Sequence, residues 1–206
     1  MSVLAIDTAG PVVGAARSDG RIFTKRVVRG ADVALSEALA QLLDDSPLEL
    51  VCVSVGPGGF TSLRVGVAAA LGVAIARRVP VLPMSSLAAR ALLCPEGRTL
   101  SLLDGRKSKA YAAVFLDGVL QGEERDLPPS QAVALTAGHP FTAVGEGAVV
   151  FSEDILAAGG SILEDPARSP VLQMCAAADR MRDQAISPQA LRLRYLREAD
   201  AKLPSR

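Results

Sequence analysis

Leu50-Val51-Cys52-Val53-Ser54-Val55-Gly56-Pro57-Gly58-Gly59-Phe60-Thr61-Ser62-Leu63-Arg64-Val65-Gly66 is the stretch on which the fold turns. Residues 50–55 are a continuous apolar-rich run, the pattern of a strand buried on both faces. The glycine-rich residues that follow are turn chemistry. A helical pattern then runs over 61–78, Pro80 closes it, and 81–82 starts another strand. Strand, tight turn, helix, strand is the order of an α/β protein.

Working outward, 3–6 is a short apolar strand ending at Asp7, 12–16 a second, and Ser18-Asp19-Gly20-Arg21 a hairpin signal into a third at 22–28. A helix begins near Asp32, with Val33, Leu35, Leu39, Leu42 and Leu43 on one broad face, and Ser46-Pro47 stops it. Ser85-Ser86 caps a helix to about residue 93. The second half restarts the pattern. Residues 100–103 form a strand ending at Asp104-Gly105, 110–116 is the next, and Asp117-Gly118 is again a hairpin turn. The spacing from strand-end Asp to Asp-Gly turn is 12 residues for Asp7 to Asp19 and 13 for Asp104 to Asp117. This reads as an internal duplication: two related α/β lobes with a cleft between them. Further helices are expected near 130–135, 149–158 and 170–184, with a strand at 141–144.

Composition excludes whole classes of function. Half of the 206 residues are apolar, which supplies a core and excludes a disordered chain. Lys plus Arg is 22 and Asp plus Glu is 22, so there is no overall positive field for nucleic acid, and aromatics at 3% leave few stacking platforms. The single His139, in a Gly-His-Pro turn, cannot supply a two-histidine metal site or a histidine pair. Cys52, Cys94 and Cys175 are widely spaced and read as reduced, buried thiols. The longest uncharged apolar run, 65–76, is too short for a bilayer, which needs about 20 residues. Asp7 interrupts the first apolar run, unlike a signal peptide. A soluble, cytoplasmic chain without membrane partners is expected.

Three features carry chemistry. The 56–61 loop leads into a helix N-terminus, where anions bind readily, but it lacks the Lys-Ser/Thr of a P-loop and reads equally as a tight turn between close backbones. The helix after it is built of small residues, Gly66, Ala68, Ala69, Ala70, Gly72, Ala74 and Ala76. Glycine inside a helix costs roughly 1 kcal/mol against alanine, so a packing reason is expected, either the sheet or a partner helix. Asp7 and Asp104 are paired carboxylates in matching contexts; with Gly10 and Gly105 they would face the cleft, or each caps its own turn.

Leu4-Ala5-Ile6-Asp7-Thr8, the 55–66 segment and Pro83-Met84-Ser85-Ser86-Leu87 together resemble the TsaB (YeaZ) family, bacterial tRNA threonylcarbamoyladenosine biosynthesis proteins. The family loop reads GPGSFTGLRIG; here Gly59 stands for Ser and Ser62 for Gly. Leu103-Asp104-Gly105-Arg106, Ala110-Tyr111, Val144-Gly145-Glu146-Gly147-Ala148 and Tyr195-Leu196-Arg197 extend the resemblance along most of the chain. It implies a two-lobed actin, hexokinase and Hsp70 type (ASKHA) fold with duplicated mixed five-stranded sheets. The first lobe would cover 1–97, the second 98–188, with a C-terminal helix at about 189–206 packing back on the first.

The function implied is that of a non-catalytic partner. A related TsaD-type subunit, carrying a two-histidine metal site, transfers the threonylcarbamoyl group to adenosine 37 of tRNAs reading ANN codons; TsaC makes the threonylcarbamoyl-AMP and a TsaE-type ATPase joins. This chain would bind no cofactor of its own, while the complex uses ATP and a metal on the partner. Docking onto TsaD, or onto a second copy as a homodimer, would use the helices at about 32–44 and 61–78. The residues implied are Leu35, Leu39, Leu42, Phe60, Thr61, Leu63, Arg64, Val67, Ala68 and Leu71. Leu35 and Leu71 depart from the family, which often has His before the Ser-Glu and a polar residue at the second position. For tRNA, Arg192, Arg194 and Arg197 in the tail and Arg106, Lys107 and Lys109 in one turn offer positive charge. Other classes remain in view: a small ASKHA-fold nucleotide-binding phosphotransferase using Asp7, Gly10, Asp104 and Gly105, although Arg106-Lys107-Ser108 replaces a glycine-rich second phosphate loop; a peptidase; and a self-associating structural module.

Overall fold

The computed structural model describes residues 2–197. The chain builds two five-stranded mixed sheets of the same design. In the first, β1 (Val3–Asp7) lies antiparallel to β2 (Val12–Arg17) and parallel to β4 (Leu50–Ser54). β3 (Ile22–Arg26) and β5 (Val81–Met84) are the edges, giving the order β3-β2-β1-β4-β5. The second sheet repeats it with β8 (Val119–Leu127), β7 (Ala110–Leu116), β6 (Arg98–Asp104), β9 (Thr142–Val144) and β10 (Ser161–Ile162). The parallel and antiparallel pairings match strand for strand. Asp7 and Asp104 therefore end equivalent strands, as the duplicated pattern requires, and the architecture is the two-lobed actin type.

Side-chain alternation assigns the first sheet's two faces. Leu4, Ile6, Val13 and Ala15 meet α1 (Ala31–Leu42) and α2 (Phe60–Arg77). Val3, Ala5, Ala16 and Cys52 meet Met174, Cys175 and Ala178 of α7 (Val171–Arg180) and Ala89 of α3 (Ser86–Ala91). In the second lobe Leu100, Leu102, Ala112 and Val114 pack on α4 (Pro129–Ala134), α5 (Glu146–Val150) and α6 (Ser152–Ala157). The opposite face, through Leu103, Ala113 and Phe115, receives Leu87 and Ala91 of α3. α3 is thus shared between the lobes, and Ser85 starts it by accepting the Leu87 and Ala88 amides on its hydroxyl.

Two expectations need correction. α7 was expected in the second lobe, ahead of a boundary at 188, but it returns to cover the first sheet, because the β1 and β2 face bearing Val3, Ala5 and Ala16 has no other cover of that size. The C-terminal segment was expected to be helical. Its described part is one 3-10 turn, Pro188–Ala190, followed by non-helical chain that bends at 196–197. Leu191 is buried in the first lobe's core and Leu193 packs against it, so the leucines are spaced for an extended segment with one side inward. Residues 198–206 lie outside the described residues.

α2 is long and apolar enough, by length and composition, to cross a membrane. One face, through Leu63, Gly66, Val67, Ala70, Val73 and Ala74, is buried in the lobe. Gly66 has its packing reason here: a Cβ would lie 2.2 Å from Thr8 Oγ1, whose hydroxyl donates to the Ser62 carbonyl. Gly72 has nothing within 4 Å of where its Cβ would stand. Of the two helical glycines, only one is explained by packing among the described residues.

Candidate functional site

Asp7 and Asp104 end the equivalent strands β1 and β6 of the two lobes. Each terminal aspartate accepts the amide two residues on, Asp7 from Ala9 at 3.3 Å and Asp104 from Arg106 at 2.8 Å. Asp104 also pairs with the exposed Arg106 at 3.4 Å. Asp7 has a second role that sequence reading missed. Arg90 of α3 reaches it through Nη2 at 3.1 Å and holds Glu146, at the start of α5, through Nε at 3.1 Å. A third bond runs from Nη1 to the Ser86 carbonyl at 3.0 Å. The side chains of Arg90 and Asp7 are 5% and 1% exposed, so a buried guanidinium bridges a carboxylate from each lobe. Gly10 borders this bridge: its Cβ would lie 2.7 Å from Glu146 Oε1 and 3.0 Å from Arg90 Nη2. The space beside Gly10 is filled by the chain's own ion triad.

Burial disfavours the Arg90 cation, but the facing Asp7 and Glu146 carboxylates outweigh it and hold its pKa above the ordinary value. Burial pushes the Glu146 carboxyl up, against the pull of Arg90. A carboxyl with a raised folded-state pKa contributes stability that is full below its ordinary 4.5 and lost as pH rises through the raised value. Denaturant midpoints taken stepwise upward from that pH should show the wild-type chain losing stability relative to Glu146→Gln, which mimics the protonated form. A difference that stays constant with pH would contradict the triad's electrostatics.

The other expected residues divide by burial. Leu35, Leu42, Leu63 and Val67, expected at an interface, are buried at 1%, 3%, 0% and 6% exposure within the chain's own core. They face the sheet because the apolar stripe of an α/β helix is used first by its own lobe. Leu39 and Leu71 are half-buried, and Phe60, Thr61, Arg64 and Ala68 are exposed. With Gly72 and Ile75 the exposed residues form a stripe down α2 at helical spacing. At its N-terminal end the Phe60 ring stacks on Tyr195 with centroids 4.9 Å apart, and the Arg64 guanidinium lies 3.8 Å from the Phe60 centroid.

The basic residues expected to meet tRNA are partly spent on the chain itself. Arg197 makes a bidentate pair with Asp126 at 2.8 and 2.7 Å and donates to the Gly105 carbonyl at 3.0 Å. Lys109 lies 3.7 Å from the same aspartate, and Arg194 3.2 Å from the buried Glu124. Arg106, Lys107 and Ser108 all take positive φ at the tip of the β6–β7 turn. The thiols of Cys52 and Cys175 are buried, and burial raises both, Cys175 to about 12, so neither ionises near neutrality; Cys94 is less deeply placed. Among the described residues no group of three or more His, Cys, Asp or Glu side chains gathers to hold a metal ion.

Residues 21–150 match the TsaD family of tRNA N6-adenosine threonylcarbamoyltransferases. The chain belongs to this family, in its TsaB (YeaZ) branch. An uncharacterised protein of Mycobacterium leprae is 32% identical over 221 residues, covering 97% of this chain and 56% of that protein, so the chain spans little more than half that relative's length. The tRNA threonylcarbamoyladenosine biosynthesis protein TsaB of Escherichia coli is 28% identical over 144 residues, 61% of each chain. A Pseudomonas aeruginosa structure, of a protein with similarity to peptidase YeaZ, superposes with a TM-score of 0.79 at 24% identity, covering 95% of this chain and 99% of that one. That likeness concerns the fold. Membership of the TsaB family connects the chain to threonylcarbamoyladenosine biosynthesis.

Proposed function

We propose that this TsaB-family chain acts as a non-catalytic partner subunit in the complex that adds the threonylcarbamoyl group to adenosine 37 of tRNAs reading ANN codons. It docks the TsaD-type catalytic subunit through the exposed stripe of α2 and the adjoining face of α1. The observation that carries this reading is the double-sided α2: one apolar face is covered by the chain's own sheet, and the other is uncovered, with Phe60, Thr61 and Arg64 at its N-terminal end and the small or apolar Ala68, Gly72 and Ile75 beyond them. A helix apolar on both sides is ordinarily covered on both. A glycine with empty space over it, at a cost of roughly 1 kcal/mol to the helix, fits a position where a second backbone comes close. In the absence of the catalytic subunit the same stripe would pair two copies of this chain.

The chain works in the cytoplasm, and the TsaE-type ATPase and tRNA join through the assembled complex. It holds no nucleotide or metal of its own: Arg90 and Glu146 stand where Gly10 would have to admit a phosphate, and Asp7 is already committed to Arg90. ATP and the metal belong to the other subunits. Any direct tRNA contact is assigned to the basic β6–β7 turn, where Arg106 is 85% exposed. The phosphotransferase alternative has no observation in its favour, because it needs the same cleft open. Omitting this chain from a reconstituted system of same-organism subunits is expected to abolish the modified adenosine. Undiminished product would refute the reading.

A further inference from the structure

The described C-terminal segment touches both lobes in seven residues. Leu191 and Leu193 anchor it in the first lobe's core, and the Arg194 amide donates to the Val55 carbonyl at 2.8 Å. Its backbone crosses directly over the glycine loop: a Cβ on Gly56 would lie 2.1 Å from the Arg194 carbonyl oxygen. Tyr195 then stacks on Phe60, and its hydroxyl accepts from Arg64 Nε at 3.2 Å. The far end is held by the second lobe. Arg194 pairs with Glu124, which also takes the Ser85 hydroxyl, and Arg197 pairs with Asp126, so two acids spaced i, i+2 on β8 meet two arginines spaced i, i+3 on the strap. The acids' side chains are 2% and 12% exposed; Arg194 is 49% exposed and makes only an ion-pair contact, whereas Arg197 is 23% exposed and hydrogen-bonded, so the Arg197–Asp126 pair is the better shielded of the two.

We infer that residues 191–197 are a clasp that pins the second lobe to the first and, by seating Tyr195 against Phe60 and Arg64, completes the N-terminal end of the α2 docking stripe. Clasp closure thereby governs docking, an inference that rests on the docking reading above. Phe60 opens α2 and Arg64 lies one turn further on, and Tyr195 touches both. Opening the Arg197–Asp126 end frees Tyr195 to leave, and the aromatic and cationic surface offered to a partner is lost with it.

The chain carries its own reporters. It has no tryptophan and two tyrosines: Tyr195 within the clasp and Tyr111, whose ring lies 5.7 Å from the Arg197 guanidinium. One tyrosine is therefore part of the clasp and the other lies beside it. Asp126→Asn and Arg197→Gln, singly and together, are compared with wild type in acrylamide quenching of that emission, in trypsin cleavage after Arg194, and in affinity for the TsaD-type subunit. Each single variant should speed cleavage about tenfold, since cleavage tracks the open population, and the double variant should add little to either. Quenching should rise in parallel, and high salt should move wild type toward the variants. Affinity for the catalytic subunit should fall severalfold in step with opening. Unchanged cleavage and quenching would overturn the clasp. An opened clasp with unchanged affinity would overturn its coupling to docking and leave docking intact. A wild-type chain that fails to bind the subunit would overturn docking, and the coupling with it, while cleavage and quenching still decide whether the clasp exists.

Discussion

Replacing Arg90 by methionine should lower the stability of the chain by about 3–5 kcal/mol, because it strands two buried carboxylates without their cation. Methionine keeps most of the apolar stem, so the loss reports charge rather than volume. Asp7 is 1% exposed and sits at the end of the central strand of the first sheet, where it cannot reach water without displacing the β1 turn. Glu146 already has a raised pKa and should respond by taking up a proton. If the single variant fails to fold, the triple variant Arg90→Met, Asp7→Asn, Glu146→Gln should recover most of the loss, since neutral partners no longer need the guanidinium. A single variant with a wild-type urea midpoint would show that the bridge between lobes contributes nothing.

The second large effect belongs to the surface. Ala68→Glu should weaken association with the TsaD-type subunit about a hundredfold or more, measured by calorimetric titration, because it buries an unpaired carboxylate in the docking stripe. The chain's own stability should move by no more than about 0.5 kcal/mol, since Ala68 is exposed and glutamate is a good helix former. Leu63→Ala behaves in the opposite way. Leu63 is fully buried, so its truncation should cost about 2–5 kcal/mol of stability through the cavity it leaves. The two variants lie in one helix and separate docking from folding. An Ala68→Glu chain that binds as tightly as wild type would place the partner elsewhere.

The strands, the duplication and the cleft aspartates were legible because their signals are local. A continuous apolar run, an Asp at its end and an Asp-Gly turn specify strand and hairpin without knowledge of the rest, and the two copies check each other. Faces were less legible. Leu35, Leu39 and Leu42 stand at helical spacing on α1, but spacing alone does not say whether a stripe meets its own sheet or another chain, and two of the three went to the sheet. α2, apolar all round between Val65 and Ala76, offers no polar face there to orient it. Long-range returns were the least legible. Nothing near 171–180 says that α7 will cover strands formed at the start of the chain, and the leucines of the 189–197 segment fit a helix or an extended strap alike. Arg90 was missed although a signal existed. It is the one charge in the short helix Ser86–Ala91, whose other residues are small or apolar, and a lone arginine there has no polar face to share. Gly145-Glu146-Gly147 was read as a family match alone. The flanking glycines pack on the Leu102 backbone and bring the glutamate to the arginine.

The proposed role makes this chain necessary for tRNA modification that another subunit performs. The direct measurement quantifies threonylcarbamoyl-adenosine formed on tRNA by same-organism TsaC-, TsaD- and TsaE-type proteins with threonine, bicarbonate and ATP. Three mixtures are compared, with this chain, without it, and with the Ala68→Glu variant in its place. Product is expected only in the first, and none from this chain alone with tRNA and the same small molecules. Equal product in all three mixtures would contradict the account.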